Sequence, residues 1–243
     1  MQSADRALAI LAAFNEARPE LTVSRLATEL GMHKSTASRL LATLQARGLV
    51  RRDGDRFFPG PELARLGRLA VQGLAVTRVA RPILEDLAAE TGETVNLAVA
   101  ERGQALNVDQ VQSAHFVGTT NWTGRALPLH CTANGKVLVA FGAADPPREL
   151  PALTPRTITN AGDLRAELEQ TRGRGYAIAV EELEAGLHAV AAPVFDAAGA
   201  CVAAVSISGP SYRLSVEALP KLGERCVAAA GEISACLGYR KAA

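Results

Sequence analysis

Thr22-Val23-Ser24-Arg25-Leu26-Ala27-Thr28-Glu29-Leu30-Gly31-Met32-His33-Lys34-Ser35-Thr36-Ala37-Ser38-Arg39-Leu40-Leu41-Ala42-Thr43-Leu44 is the stretch that decides how the front of this chain folds. Thr22 suits a helix N-cap, and Val23, Leu26, Ala27 and Leu30 then recur at helical spacing until Gly31 stops them. A second amphipathic run begins at once, with Ala37, Leu40, Leu41 and Leu44 on one face and Gly48 just past its end. Upstream, Ala7, Ile10, Leu11 and Phe14 predict a helix that opens at Ser3 and Asp5 and ends before Arg18-Pro19. Downstream, the β-prone runs Leu49–Arg52 and Arg56–Phe58 flank Asp53-Gly54-Asp55, a hairpin signal. Three helices and a hairpin in this order, the middle two joined through a glycine, predict a winged helix-turn-helix over residues 1–60.

On the third helix the face opposite the apolar stripe carries Ser35 and Arg39, flanked by Thr36 and Ser38, with Lys34 near the start. Arginine can fork onto guanine or a phosphate, and short hydroxyls serve bases or backbone, so this face suits the major groove of DNA. Arg56, with Arg52, lies where a wing would meet the phosphates, and Arg25 is on the solvent side of the second helix. The alternative is a winged helix used for protein contacts, with these side chains forming only a solvated face.

Charge follows the same division. The whole chain is nearly neutral, at +1, which argues against a uniformly basic coat. Residues 1–68 nevertheless hold 11 basic and 7 acidic side chains, against 15 and 18 in the rest. A basic head on a mildly acidic body fits a chain whose head alone meets nucleic acid. Hydrophobic residues at 48% and charged ones at 21% exclude wholesale disorder. No apolar run reaches the length of a membrane span and no secretory leader is visible, so a cytoplasmic, non-membrane protein is expected. Cys131, Cys201, Cys226 and Cys236 form no CxxC pair and have no histidine at ligand spacing. Reduced thiols follow, with no metal and no cofactor.

After Pro59-Gly60-Pro61, Leu63, Leu66, Ala70 and Leu74 predict a linker helix over 61–75 that can pair protomers. The remainder, 76–243, reads as α+β. A helix over 76–90 precedes strands at Thr94–Ala100 and Ala105–Val111, with Val117–Thr120 a candidate extension. Thr132 caps a helix to Phe141, and Asp163–Thr171 is helical. Strands follow at Tyr176–Val180, His188–Phe195 and Ala200–Ser208, and a striped helix from Leu219 to Leu237 closes the chain. Ser206 and Ser208 alternate with Ile207, so both hydroxyls leave one sheet face. Thr132 and the amides behind it make a seat for a carboxylate at a helix N-terminus; alternatively Thr132 is only a cap and the serines bond neighbouring backbone.

The chain resembles the IclR family of bacterial transcriptional regulators. The likeness rests on Arg6–Leu11, Ser35–Leu44 and Arg47-Gly48-Leu49-Val50 in the head. In the body it rests on Leu129-His130-Cys131-Thr132-Ala133-Asn134-Gly135-Lys136, on Glu181-Glu182 with Gly186 and Ala191-Ala192-Pro193-Val194, and on Ala204–Pro210. It implies a GAF-like effector-binding domain, an antiparallel sheet flanked by helices, behind the winged helix. It also implies dimers or tetramers on a palindromic operator, and a small organic or aromatic acid as effector. The positions matching the family's pocket are Phe116, Thr119, Thr132, Ala133, Asn134, Ala189, Ser206 and Ser208. Many relatives carry an acid where this chain has Ala179, so a polar anchor is missing here. Asn121, Trp122, Arg125 and His130 are further candidates to line or gate the cavity, with ordinary packing the plainer role for Trp122.

Two rival functions share these features. A constitutive DNA-binding or scaffold protein would use the body only to oligomerise. An enzyme would use His130-Cys131 or the carboxylates Glu181, Glu182 and Glu184; adjacent residues on an extended segment point to opposite faces, which separates His130 from Cys131.

Overall fold

The computed structural model describes residues 3–15, 18–72, 75–115 and 120–240. Its contacts divide the chain into two compact units, Met1–Gly73 and Leu74–Ala243.

The first unit holds α1 (Ser3–Ala12), β1 (Leu21–Thr22), α2 (Val23–Glu29), α3 (Lys34–Ala46), β2 (Val50–Asp53), β3 (Arg56–Pro59) and α4 (Pro61–Gln72). Thr22 caps α2 by accepting the Arg25 amide on its hydroxyl. Gly31, at φ +58°, makes the left-handed turn between α2 and α3. Ile10, Leu26, Leu41, Leu44, Val50 and Phe57 close one small core. Phe14 packs against that core from beyond the end of α1. The hairpin pairs Asp53 with Arg56, and β1 adds a third strand, Leu21 opposite Phe57. At two residues, β1 is too short to show an alternation.

The second unit is three-layered. Its strands are β4 (Thr94–Glu101), β5 (Gln104–Val111), β6 (Ala126–Leu127), β7 (Ala177–Val180), β8 (Leu187–Phe195) and β9 (Cys201–Pro210). They form one antiparallel sheet in the order β6-β5-β4-β9-β8-β7. Helices α5 (Ala75–Thr91) and α8 (Leu219–Cys236) cover one face, where Val95, Leu97, Val190, Val205, Ile207 and Ile233 share a core. Helices α6 (Ala133–Ala140) and α7 (Ala161–Arg174) cover the other, with Leu129, Val137, Leu138, Leu164, Ala191 and Ala204. Alternate residues of a strand therefore enter different cores, as the pleat requires.

The strand expected at Val117–Thr120 falls mostly on 116–119, outside the described residues, as does Leu74 of the linker stripe. Thr120 itself belongs to no strand, and the edge is formed by Ala126–Leu127, paired with Leu106 and Ala105. Between Leu97 and Ala98 the register with β5 slips: Leu97 faces Asp109 and Ala98 faces Asn107, leaving Val108 as an extra residue. This bulge reverses the alternation of β5. Val111, Val108 and Leu106 all enter the α5/α8 core, while Asn107 and Ala105 turn to the α6 side.

Candidate functional site

The exposed face of α3 is the first candidate. Lys34, Ser35, Ser38 and Arg39 are exposed and Thr36 is half-buried, whereas Ala37 and Leu41 are fully buried beneath them. Neither Lys34 nor Arg39 forms an ion pair among the described residues. Arg25 and Arg56 are engaged differently. The Arg25 guanidinium donates to Glu29 at 2.9 Å, with Arg18 on the same carboxylate at 3.1 Å, and these bonds hold the Glu29 carboxyl below its ordinary value. Arg56 is paired with Glu20. Arg52 donates to the Gly54 carbonyl at 2.8 Å across the hairpin turn. Of the candidate DNA contacts, Lys34 and Arg39 on α3 are thus the cations without an ion pair among the described residues, while Arg25 and Arg56 are each paired with a carboxylate.

The second candidate is a small cavity on the α6 side of the sheet, with about 50 Å³ open to a water-sized sphere and a mouth that opens to solvent. Thr132, Ala133 and Asn134 line it from the start of α6, Ala189 from β8, and Ser206 and Ser208 from β9. Phe116 and Thr119 lie outside the described residues. Trp122 lines the mouth, but Asn121, Arg125 and His130 do not. His130 is buried against the Pro151 carbonyl, 3.1 Å from Nε2. Trp122 is placed by Gln110, which accepts the Trp122 amide at 2.7 Å and donates to the Thr120 carbonyl at 3.4 Å.

Asn96, Asn107 and Glu182, absent from the sequence expectation as ligand contacts, complete the polar wall. Two of them carried a signal: asparagine is depleted in strands, and Asn96 and Asn107 interrupt apolar ones. Asn96 donates to Ser208 Oγ at 3.2 Å, and Asn134 donates to Asn107 Oδ1 at 3.5 Å. The Thr132 hydroxyl is consumed locally, donating to the Pro128 carbonyl at 2.8 Å and accepting the Gly135 amide at 3.1 Å. It is thus the helix cap. The amides of Ala133 and Asn134 next to it have no partner among the described residues, so the N–H groups left to donate at this helix start belong to the backbone.

The paired glutamates separate. Glu181 turns to accept the Gly186 amide at 2.8 Å, while Glu182 is buried and accepts from Lys136 Nζ at 2.7 Å. Burial pushes the Glu182 carboxyl above its ordinary value, with the Lys136 charge pulling the other way. Burial, aided by the Glu182 charge, also pushes the Cys131 thiol up to about 12, so the thiolate that nucleophilic chemistry needs does not form near neutrality.

Two family models match this chain. That of the IclR helix-turn-helix domain spans residues 3–54, and that of the bacterial transcriptional regulator IclR C-terminal spans 68–235. The chain belongs to the IclR family. It is 33% identical to the transcriptional repressor IclR of Escherichia coli K12 over an alignment of 248 positions, covering 98% of this chain and 90% of that one. Thermotoga maritima IclR superposes with a TM-score of 0.77 at 32% identity over 98% of this chain and 99% of that one. An IclR homolog of Microbacterium hydrocarbonoxydans, complexed with 4-hydroxybenzoate, gives 0.81 at 26% identity over 97% and 99%. IclR relatives are transcriptional regulators rather than enzymes, and residues 3–54 of this chain, which hold α1 to α3, match the family's helix-turn-helix domain. No described helix is long and apolar enough to cross a membrane.

Proposed function

We propose that this IclR-family regulator is ligand-responsive: it grips a palindromic operator through Lys34, Ser35, Thr36, Ser38 and Arg39, with Arg25 and Arg56 at the margins, and holds a small carboxylic acid in the body cavity. One observation carries the second half. The buried side-chain atoms without a hydrogen-bond partner among the described residues are Asn96 Oδ1, Asn107 Nδ2, Asn134 Oδ1 and Glu182 Oε2, and all four residues line this cavity. Buried polar atoms are nearly always paired, so a cluster of unpaired ones in one cavity is the mark of a missing polar partner. The two free amides at the head of α6 supply the seat for its carboxylate.

Self-association has separate support. Leu8 on α1 is 64% exposed and Leu66 on α4 is 43% exposed, apolar side chains that a second copy would cover. Two copies place two recognition helices on two half-sites, so a change in protomer geometry caused by the effector alters operator affinity. A cytoplasmic location fits this role.

A thermal-shift screen of carboxylic acids, 4-hydroxybenzoate included, tests the cavity. A binding acid raises the melting temperature of the wild type, and Ala133→Leu, which fills the seat, abolishes the rise. A flat screen on a folded protein would support the constitutive scaffold instead.

A further inference from the structure

The unpaired atoms of the cavity have a polarity that selects among acids. Asn96, Asn107, Asn134 and Glu182 are each more than nine-tenths buried. Asn107 and Asn134 share one hydrogen bond, so whichever way the two amides are turned, one wholly unpaired NH2 and one unpaired carbonyl remain between them. Asn96 bonds Ser208 through its Nδ2 and leaves its carbonyl free. Glu182 has one oxygen on Lys136 and the other without a partner. A ketone or a second carboxylate can only accept, so it answers the free amide nitrogen of the pair and leaves the unpaired side-chain oxygens without a donor. An alkyl group satisfies none of them. An alcohol hydroxyl has one O–H to donate and lone pairs to accept, so a single hydroxyl answers both members of the mixed pair, and a second one can donate to Asn96 or Glu182.

Position narrows the class further. Asn134 is the second residue of α6, and its own backbone N–H is one of the two free amides. One residue therefore offers an N–H to a carboxylate and a side-chain amide to a hydroxyl. Those two groups lie only a few bonds apart, so the ligand's carboxylate and hydroxyl are comparably close. Resting on the reading of this cavity as the effector seat, we propose that the effector is a short hydroxy acid bearing its hydroxyl on the second or third carbon. The Asn107–Asn134 pair reads that hydroxyl, and Asn96 and Glu182 are placed to accept from a further one.

Matched acids on one carbon skeleton test this with the full-length wild-type protein. Calorimetric titration compares lactate with propionate and pyruvate, and 3-hydroxybutyrate with butyrate. The hydroxy acid of each set binds about tenfold or more tightly than its partners, because the analogue leaves buried groups unpaired. In Asn107→Ala, shown to be folded by its circular dichroism, the preference shrinks to about twofold or less while the plain acid still binds. Plain or oxo acids binding as well as hydroxy acids to the wild type would overturn the hydroxyl inference and leave the carboxylate seat standing. No binding by any of these acids would overturn both.

Discussion

Lys136 and Glu182 form a salt bridge of 2.7 Å inside the body, with the lysine side chain wholly buried. Glu167 lies 3.5 Å from the same ammonium and in turn meets Arg174 at 2.5 Å, so the group of four is electrically balanced. A balanced group of this kind adds little net stability, but removing one member leaves a buried charge without its partner. Lys136→Met is therefore expected to lower the stability of the body by about 3–5 kcal/mol, read from urea unfolding. Adding Glu182→Gln to that variant recovers part of the loss. No recovery would mean that the lysine matters for packing alone.

The direction of the Glu182 shift sets a pH dependence. Its carboxyl is raised in the folded chain above the 4.5 of an unperturbed glutamate, so the fold holds this proton more firmly than the unfolded chain does. The stability it contributes is fully present below pH 4.5 and is lost as pH rises through the folded value. The unfolding free energy of wild type minus that of Glu182→Gln, measured from pH 4 to 7.5, should accordingly fall with rising pH. A rise would show that attraction to Lys136 outweighs burial.

On the DNA-binding unit, Arg39→Ala should weaken operator binding about tenfold or more in a gel-shift titration. Arg25→Ala should weaken it less, because Arg25 is already bonded to Glu29 in the free chain. Equal losses would remove the distinction between free and paired cations at this surface.

Gly135 gives the α6 seat its position. A Cβ there would stand 2.5 Å from the Leu129 Cα and carbonyl oxygen, which are backbone atoms that cannot swing aside. Gly135→Ala should cost about 1–3 kcal/mol of stability and displace the free amides. A variant with wild-type melting and wild-type acid binding would show that α6 need not lie where it does.

Much of this molecule is written in local pattern. The α2–Gly31–α3 turn, the hairpin and the alternation of Ser206 and Ser208 with Ile207 each follow from spacing over a few residues, and the structure has all three. Two features of the cavity have no local signature. The extra residue at Val108 reverses the alternation of β5, and only the pairing with β4 reveals that Asn107 rather than Val108 faces α6. Glu182 looks like part of a solvated acidic run until the tertiary structure sets Lys136, forty-six positions earlier, against it. Thr132 is a lesson of another kind. Its position at a helix start was readable, but the Pro128 carbonyl that takes its proton was not, and so the donors left free at this helix start are the amides behind it rather than the hydroxyl.

In the proposed function, occupation of the body cavity changes the grip of the head on DNA. Fluorescence anisotropy on a labelled duplex from the promoter of the chain's own gene measures it directly, with and without a saturating acid taken from the screen. Operator affinity should change by about fivefold or more for the wild type, and not at all for Ala133→Leu. Identical binding curves for the wild type with and without a bound acid would contradict it.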